Sequence, residues 1–128
     1  MKEKLIKLLD NSYSPYSKFR VSAICVMKDG REFSGVNVEN ASYGATICAE
    51  RSAITSAISN GYKKSDFKEL YVMCDNEKLG MPCFSCRQVM VELMDKKTKI
   101  VVINPKGENK EFTLEELCPY PFSEDDLK

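Results

Sequence analysis

Apolar positions recur along this chain with two different periods. From Lys2 to Tyr13, Leu5, Ile6, Leu8 and Leu9 share one side of a 3.6-residue repeat, with lysines and acids opposite. That pattern predicts an amphipathic helix, ended before Pro15 because the residue preceding proline is pushed out of the α region. Val21 to Met27 is short and apolar on both faces, the pattern of a buried strand. Asp29-Gly30 is a hairpin signal, and residues 31–38 return as the paired strand, with Gly35 read as a bulge. A polar loop over 37–47 leads to a predicted helix over 48–60, with Ala49, Ala53, Ile54, Ala57 and Ile58 inward and Gly61 as its cap. The same reading predicts a strand over 70–74 and a helix over about 85–94, with Val89, Met90, Leu93 and Met94 inward. It then predicts strands over 99–103 and 111–113, and a last helical turn over 114–117 stopped by Pro119 and Pro121.

This order implies a mixed sheet with helices on both faces. The strand–helix–strand stretch from Leu70 to Ile103 is expected to form a parallel, right-handed crossover. It sets the start of the third helix beyond the carboxyl end of a strand, where α/β proteins commonly bind ligands. No repeat, low-complexity tract or linker interrupts the pattern, so residues 1–128 are expected to form one domain.

Charge narrows the function. Nineteen basic and nineteen acidic residues leave a formal net charge of zero, without the basic excess of a nucleic-acid binder. Lys2, Lys4 and Lys7 read as the solvated side of the first helix. No apolar run is long enough to span a bilayer, and no signal-type stretch follows Met1-Lys2-Glu3-Lys4. A cytoplasmic protein is therefore expected, with its six cysteines reduced. There a close C-x-x-C indicates metal or redox chemistry rather than a disulfide.

Two runs carry the candidate chemistry, Cys48-Ala49-Glu50-Arg51 and Pro82-Cys83-Phe84-Ser85-Cys86-Arg87. Cys83 and Cys86 have the turn-sized gap that lets two thiolates converge on one tetrahedral ion, and Cys48 supplies a third. Three ligands leave the fourth position open for water, the mark of a catalytic zinc. The chain has no histidine, so acid–base chemistry at the metal falls to Glu50. Cys48 and Glu50 lie about 200° apart on an ideal helix, so both face one pocket only if Cys48 sits at the helix start. Arg51 and Arg87 are expected to donate hydrogen bonds to sulfur and drain charge from the thiolates. Cys25 and Cys74 lie in apolar runs and read as core, and Cys118 as a buried residue before Pro119. A structural zinc or a redox pair remains the plainer reading of C-x-x-C alone.

Taken together, these residues resemble the cytidine deaminases, in the small class whose zinc is held by three cysteines. Pro15-Tyr16-Ser17-Lys18-Phe19-Arg20-Val21, Asn37-Val38-Glu39-Asn40-Ala41, Cys86-Arg87-Gln88-Val89 and the stretch from Leu117 to Ser123 carry the resemblance beyond the cysteine runs. It implies a three-layer α/β/α sandwich around a mixed five-stranded sheet. It implies hydrolysis of cytidine and deoxycytidine to the uridine counterparts with release of ammonia, a step of pyrimidine salvage. Zn²⁺ would be held by Cys48, Cys83 and Cys86, with hydroxide attacking C4 and Glu50 shuttling protons. Asn37 and Glu39 would bind the sugar, Ala49 would contact substrate, and Phe19 would pack on the pyrimidine. A homotetramer with shared active sites is implied, with Tyr43 and Phe122 reaching in from other subunits. Two positions depart from the family pattern. Phe84 stands where glycine is usual, which sets a side chain beside the metal turn, and Ser22 replaces a glycine of the first strand. Two other readings stay open, a deaminase of another aminated pyrimidine nucleoside and a non-catalytic zinc-stabilised binding module.

Overall fold

The structure, a computed structural model, describes residues 1–128. Helix α1 (Lys2–Leu9) leads into the hairpin β1 (Val21–Met27) and β2 (Glu32–Val36). A 3₁₀ turn at Tyr43–Ala45 precedes α2 (Ala49–Ser59), and another at Lys64–Asp66 precedes β3 (Phe67–Cys74). Then follow α3 (Phe84–Leu93), β4 (Lys99–Ile103), β5 (Asn109–Thr113), α4 (Leu114–Leu117) and a 3₁₀ turn at Glu124–Leu127. The five strands form one sheet in the order β2-β1-β3-β4-β5. Only β3 and β4 pair in parallel, across the α3 crossover, and the other neighbours are antiparallel.

Alternation along the central strands explains why they are apolar throughout. Ala23, Cys25 and Met27 of β1 join Leu70 and Val72 of β3 in a core beneath α2 and α3. Ile24 and Met73 point the other way, onto Leu5 and Leu9 of α1. Each face thus has its own helix layer, and period-two alternation serves both. Ser22, fully buried, donates its hydroxyl to the Leu5 carbonyl at 2.9 Å, so the side chain in the glycine position ties α1 to the sheet.

Four details differ from the sequence reading. Helix α1 stops at Leu9, not Tyr13. Residues beyond it are recruited to the sheet edge, where Tyr13 N–H donates to Asn37 O and Glu39 N–H to Tyr13 O. Ile6 is 38% exposed, outside the buried stripe. Gly35 is no bulge: it pairs regularly with Ala23, and the irregularity lies at Val26/Met27. Its small size serves a close approach, since an added Cβ would lie 2.5 Å from the Ala49 carbonyl oxygen and 2.6 Å from the Ala53 nitrogen. Of the helix positions expected to face inward, Met90 and Met94 are buried, while Val89 and Leu93 are half-buried at the edge of the core. No helix is long and apolar enough to cross a membrane.

Candidate metal centre and pocket

The first residues of α2 and α3 meet near the carboxyl end of β3. Cys48 caps α2 with extended backbone (φ −75°, ψ 153°), and Cys83 caps α3 in the same way (φ −68°, ψ 165°). Cys86 is then the third residue of α3, and its N–H donates to Cys83 Sγ at 3.5 Å. The Cys83 and Cys86 sulfurs lie 3.4 Å apart, and all three sulfurs lie within 4.8 Å of one another. A tetrahedral zinc with Zn–S bonds of about 2.3 Å separates its sulfurs by roughly 3.8 Å, so the cluster is of the right size. All six cysteines are free. Burial pushes Cys25 and Cys74 up to about 12, and raises Cys118, which keeps these three as thiols.

Electrostatics at the cluster favour a thiolate. Hydrogen bonding with Cys86 brings Cys48 down to about 5 against the effect of burial, and the Arg51 guanidinium adds to the shift. The partner thiol, Cys86, is raised by the same hydrogen bond and by burial. Arg51 Nη2 donates to Cys48 Sγ at 3.2 Å. Its Nε is buried without a partner, a cost that an anionic sulfur cluster alongside offsets. Two helix N-termini aimed at the sulfurs act in the same direction.

Glu50 is 5% exposed and lines a cavity of about 190 Å³ with Phe19, Asn37, Cys48, Ala49 and Cys83. The geometric condition on Cys48 and Glu50 is therefore met: Cys48 stands at the cap, outside the helical rotation, and both reach one pocket. Burial pushes the Glu50 carboxyl up to about 6. A buried carboxyl beside three sulfurs can both take and give a proton near neutral pH.

Around this corner the expected residues divide. Phe19 is 42% exposed on the cavity wall. Asn37 accepts at Oδ1 from Ser12 Oγ and Val21 N–H and donates through Nδ2 to the Phe19 carbonyl, which leaves one Nδ2 hydrogen free. Glu39 lies on the rim, lining a neighbouring cavity with Tyr16, Ser17 and Tyr43, and Thr46 lines both cavities. Tyr43 is 81% exposed and Phe122 57% exposed, and neither lines the Glu50 cavity of its own chain.

Arg87 departs from its expected place. Its Nε donates to the Pro82 carbonyl at 2.9 Å, its Nη1 to the Leu117 carbonyl at 3.0 Å, and its guanidinium lies 4.5 Å over the Phe84 ring. Those carbonyls claim the fork, so Arg87 makes no hydrogen bond to sulfur and instead braces the Pro82 turn. Phe84, expected beside the metal, is the first residue of α3 with φ outside the left-handed region, so glycine is not required there. Its exposed ring lines a groove with Phe122, away from the Glu50 cavity.

Sequence reasoning missed Val21, Thr46, Val72, Cys74 and Met81 on the cavity wall. Val72 and Cys74 lie two apart at the end of β3, and period-two alternation could have placed them together. Cys74 is thus pocket wall as well as core. Its Sγ lies beneath Gly80, where an added Cβ would come within 2.3 Å of it.

Residues 1–102 match the family model for the cytidine and deoxycytidylate deaminase zinc-binding region. The chain is 42% identical to a cytidine deaminase of Halalkalibacterium halodurans over 125 residues, covering 98% of this chain and 93% of that one. It is 41% identical to a cytidine deaminase of Sporosarcina psychrophila, with 98% and 93% covered. The crystal structure of cytidine deaminase from Burkholderia pseudomallei superposes with a TM-score of 0.90 at 39% identity, covering 94% of each chain. The chain belongs to the cytidine and deoxycytidylate deaminase family. Its fold is the α/β fold of that family, it is a hydrolase, and its cofactor is Zn²⁺.

Proposed function

We propose that this protein hydrolyses the exocyclic amine of cytidine and deoxycytidine, giving uridine and deoxyuridine with release of ammonia, in pyrimidine salvage. The observation that carries this reading is a buried Glu50 carboxyl sharing one cavity with the Cys48, Cys83 and Cys86 cluster. Relatives named cytidine deaminase that match nearly end to end support it. Cys48, Cys83 and Cys86 would hold the zinc, which would supply a water of lowered pKa as the nucleophile. Glu50 takes a proton from the attacking water and passes it to ring N3 as the water oxygen bonds C4. It then takes the remaining proton of that oxygen and gives it to the amine, which leaves as ammonia as the C4–N bond breaks.

Phe19 packs on the pyrimidine, and the backbone at Ala49 contacts its edge. The free Nδ2 hydrogen of Asn37 and the remaining lone pair of Glu39 give the sugar hydroxyls one donor and one acceptor. Arg51 neutralises the thiolates. The 128 residues act as one domain in the cytoplasm, with no nucleic-acid or membrane partner. Four copies share their active sites, Tyr43 and Phe122 each completing a neighbour's pocket. Their exposure in the single chain supports this.

Purified protein with its zinc content measured should release ammonia from cytidine and from deoxycytidine. Zinc-loaded protein that releases none from either overturns the reading. Light scattering that finds a monomer at assay concentration removes the shared-site part alone.

A further inference from the structure

The exposed turn that carries Phe19 is held by an unusually complete set of hydrogen bonds. Glu39 Oε1 accepts from Tyr16 N–H at 3.0 Å and from Ser17 N–H at 3.1 Å, while Oε2 accepts from the Ser17 hydroxyl. Ser17 Oγ in turn accepts from Phe19 N–H at 3.0 Å. Between them stands Lys18 at φ 62°, the one residue other than glycine in the left-handed region. A side chain with a Cβ disfavours that backbone, so the surrounding bonds must hold it. Lys18 N–H also donates to the Ser14 carbonyl at 3.0 Å. On the far side, Asn37 Nδ2 holds the Phe19 carbonyl at 2.8 Å. Asn37 therefore grips Phe19 directly, whereas Glu39 reaches it only through one oxygen atom.

We propose that Ser17 is a positioning residue of the pocket, its hydroxyl coupling the Glu39 carboxylate to the Phe19 backbone so that carboxylate and ring keep a fixed separation. This rests on the reading that the ring and the carboxylate flank the base and sugar of one nucleoside. A hydroxyl suits the place because a single oxygen donates to the carboxylate and accepts from the amide. Strained backbone beside a binding pocket persists where the geometry it enforces is used. The coupling acts on binding rather than on the reacting bond, since neither Ser17 nor Lys18 lines the cavity that holds Glu50.

The test compares zinc-loaded wild type with Ser17→Ala, Ser17→Thr and Lys18→Gly, by steady-state kinetics on cytidine and by hydrogen exchange at the Phe19 amide. Ser17→Ala should raise KM about tenfold with kcat within about twofold, the pattern of lost uniform binding. It should also speed Phe19 exchange at least about tenfold, because that amide then has no acceptor. Ser17→Thr, which keeps the hydroxyl, should restore both. Lys18→Gly, which adopts the same turn freely, should leave KM at the wild-type value. Wild-type KM and wild-type exchange in Ser17→Ala overturn the proposal, as does a KM change that Ser17→Thr does not reverse. If the wild type itself releases no ammonia, the deaminase reading fails, and the exchange measurement alone decides for or against Ser17.

Discussion

Cys48, Cys83 and Cys86 hang from the first residues of two helices, whereas Phe19, Asn37 and Glu39 sit on the loops that face them. The helix-borne corner is set by the backbone. Two N-caps and one first-turn residue converge because α2 and α3 start at the same end of the sheet. The loop-borne rim is set by side chains gripping other backbone groups, as Asn37 and Glu39 do. Burial cuts across this division: Glu50 and Cys86 are buried in the corner but Cys83 is exposed, and on the rim Asn37 is buried while Phe19 is 42% exposed. The contrast teaches that the cysteine corner is placed by where two helices begin, while the rim is placed by side-chain hydrogen bonds to backbone groups from other segments.

Breaking the corner should have the largest effect. Cys86→Ser should lose zinc and with it nearly all deamination, measured as metal content and ammonia release. Retained zinc with normal turnover would remove Cys86 from the ligand set. Next comes Glu50→Gln, which should keep its metal but lose at least about 10²-fold in kcat, the lower end for acid–base groups. An almost unchanged kcat would take the proton shuttle away from Glu50.

The two arginines sharpen the comparison. Arg51 touches a sulfur and Arg87 touches carbonyls. Arg51→Gln should therefore weaken zinc retention by about 10-fold or more, the scale of changes in groups hydrogen-bonded to metal ligands. Arg87→Gln should retain zinc as the wild type does, with a cost in thermal stability from the loosened Pro82 turn. Equal zinc loss in both variants would show that the distinction between them is wrong.

The smallest effect belongs to the rim and is read through pH. The Ser17 hydroxyl holds the Glu39 carboxyl below the usual carboxylate range, with burial opposing and the Ser17 and Tyr16 amides helping. A depressed folded value means that the contribution is present above the unfolded value, about 4.3, and is lost as pH falls through the lower folded one. The Tyr16 and Ser17 amide resonances should shift over that acidic window and stay flat in Glu39→Gln. Resonances that do not move in wild type down to pH 3 would contradict the carboxylate clamp.

Most of the corner was legible before any coordinates. The C-x-x-C spacing suits two ligands on one ion, the loop before Cys48 permits a helix start there, and the absence of histidine leaves acid–base chemistry to Glu50. The central strands were legible because short apolar runs bounded by turn signals favour strand over helix on length, and β2 because the Asp29-Gly30 turn folds it back on β1. What stayed hidden depends on contacts between segments distant in sequence. Arg87 was read by its nearness to Cys86, yet the Leu117 carbonyl, far along the chain, decides where its guanidinium points. Tyr13 looked helical by periodicity and was drawn into pairing with Val38 instead. Gly35 read as a local irregularity because nothing in its neighbourhood announces the helix lying against it.

That glycine has a consequence for anyone altering the protein. Strand β2 and the opening of α2 touch with no gap between them, so the strand works as a shim beneath the helix that carries Cys48 and Glu50. Thickening the shim by one carbon pushes on the Ala49 carbonyl from behind, and the push arrives at Cys48 and Glu50 together. A surface-loop engineer would regard the back of this hairpin as free territory, yet its tolerance is set by the helix start packed against it.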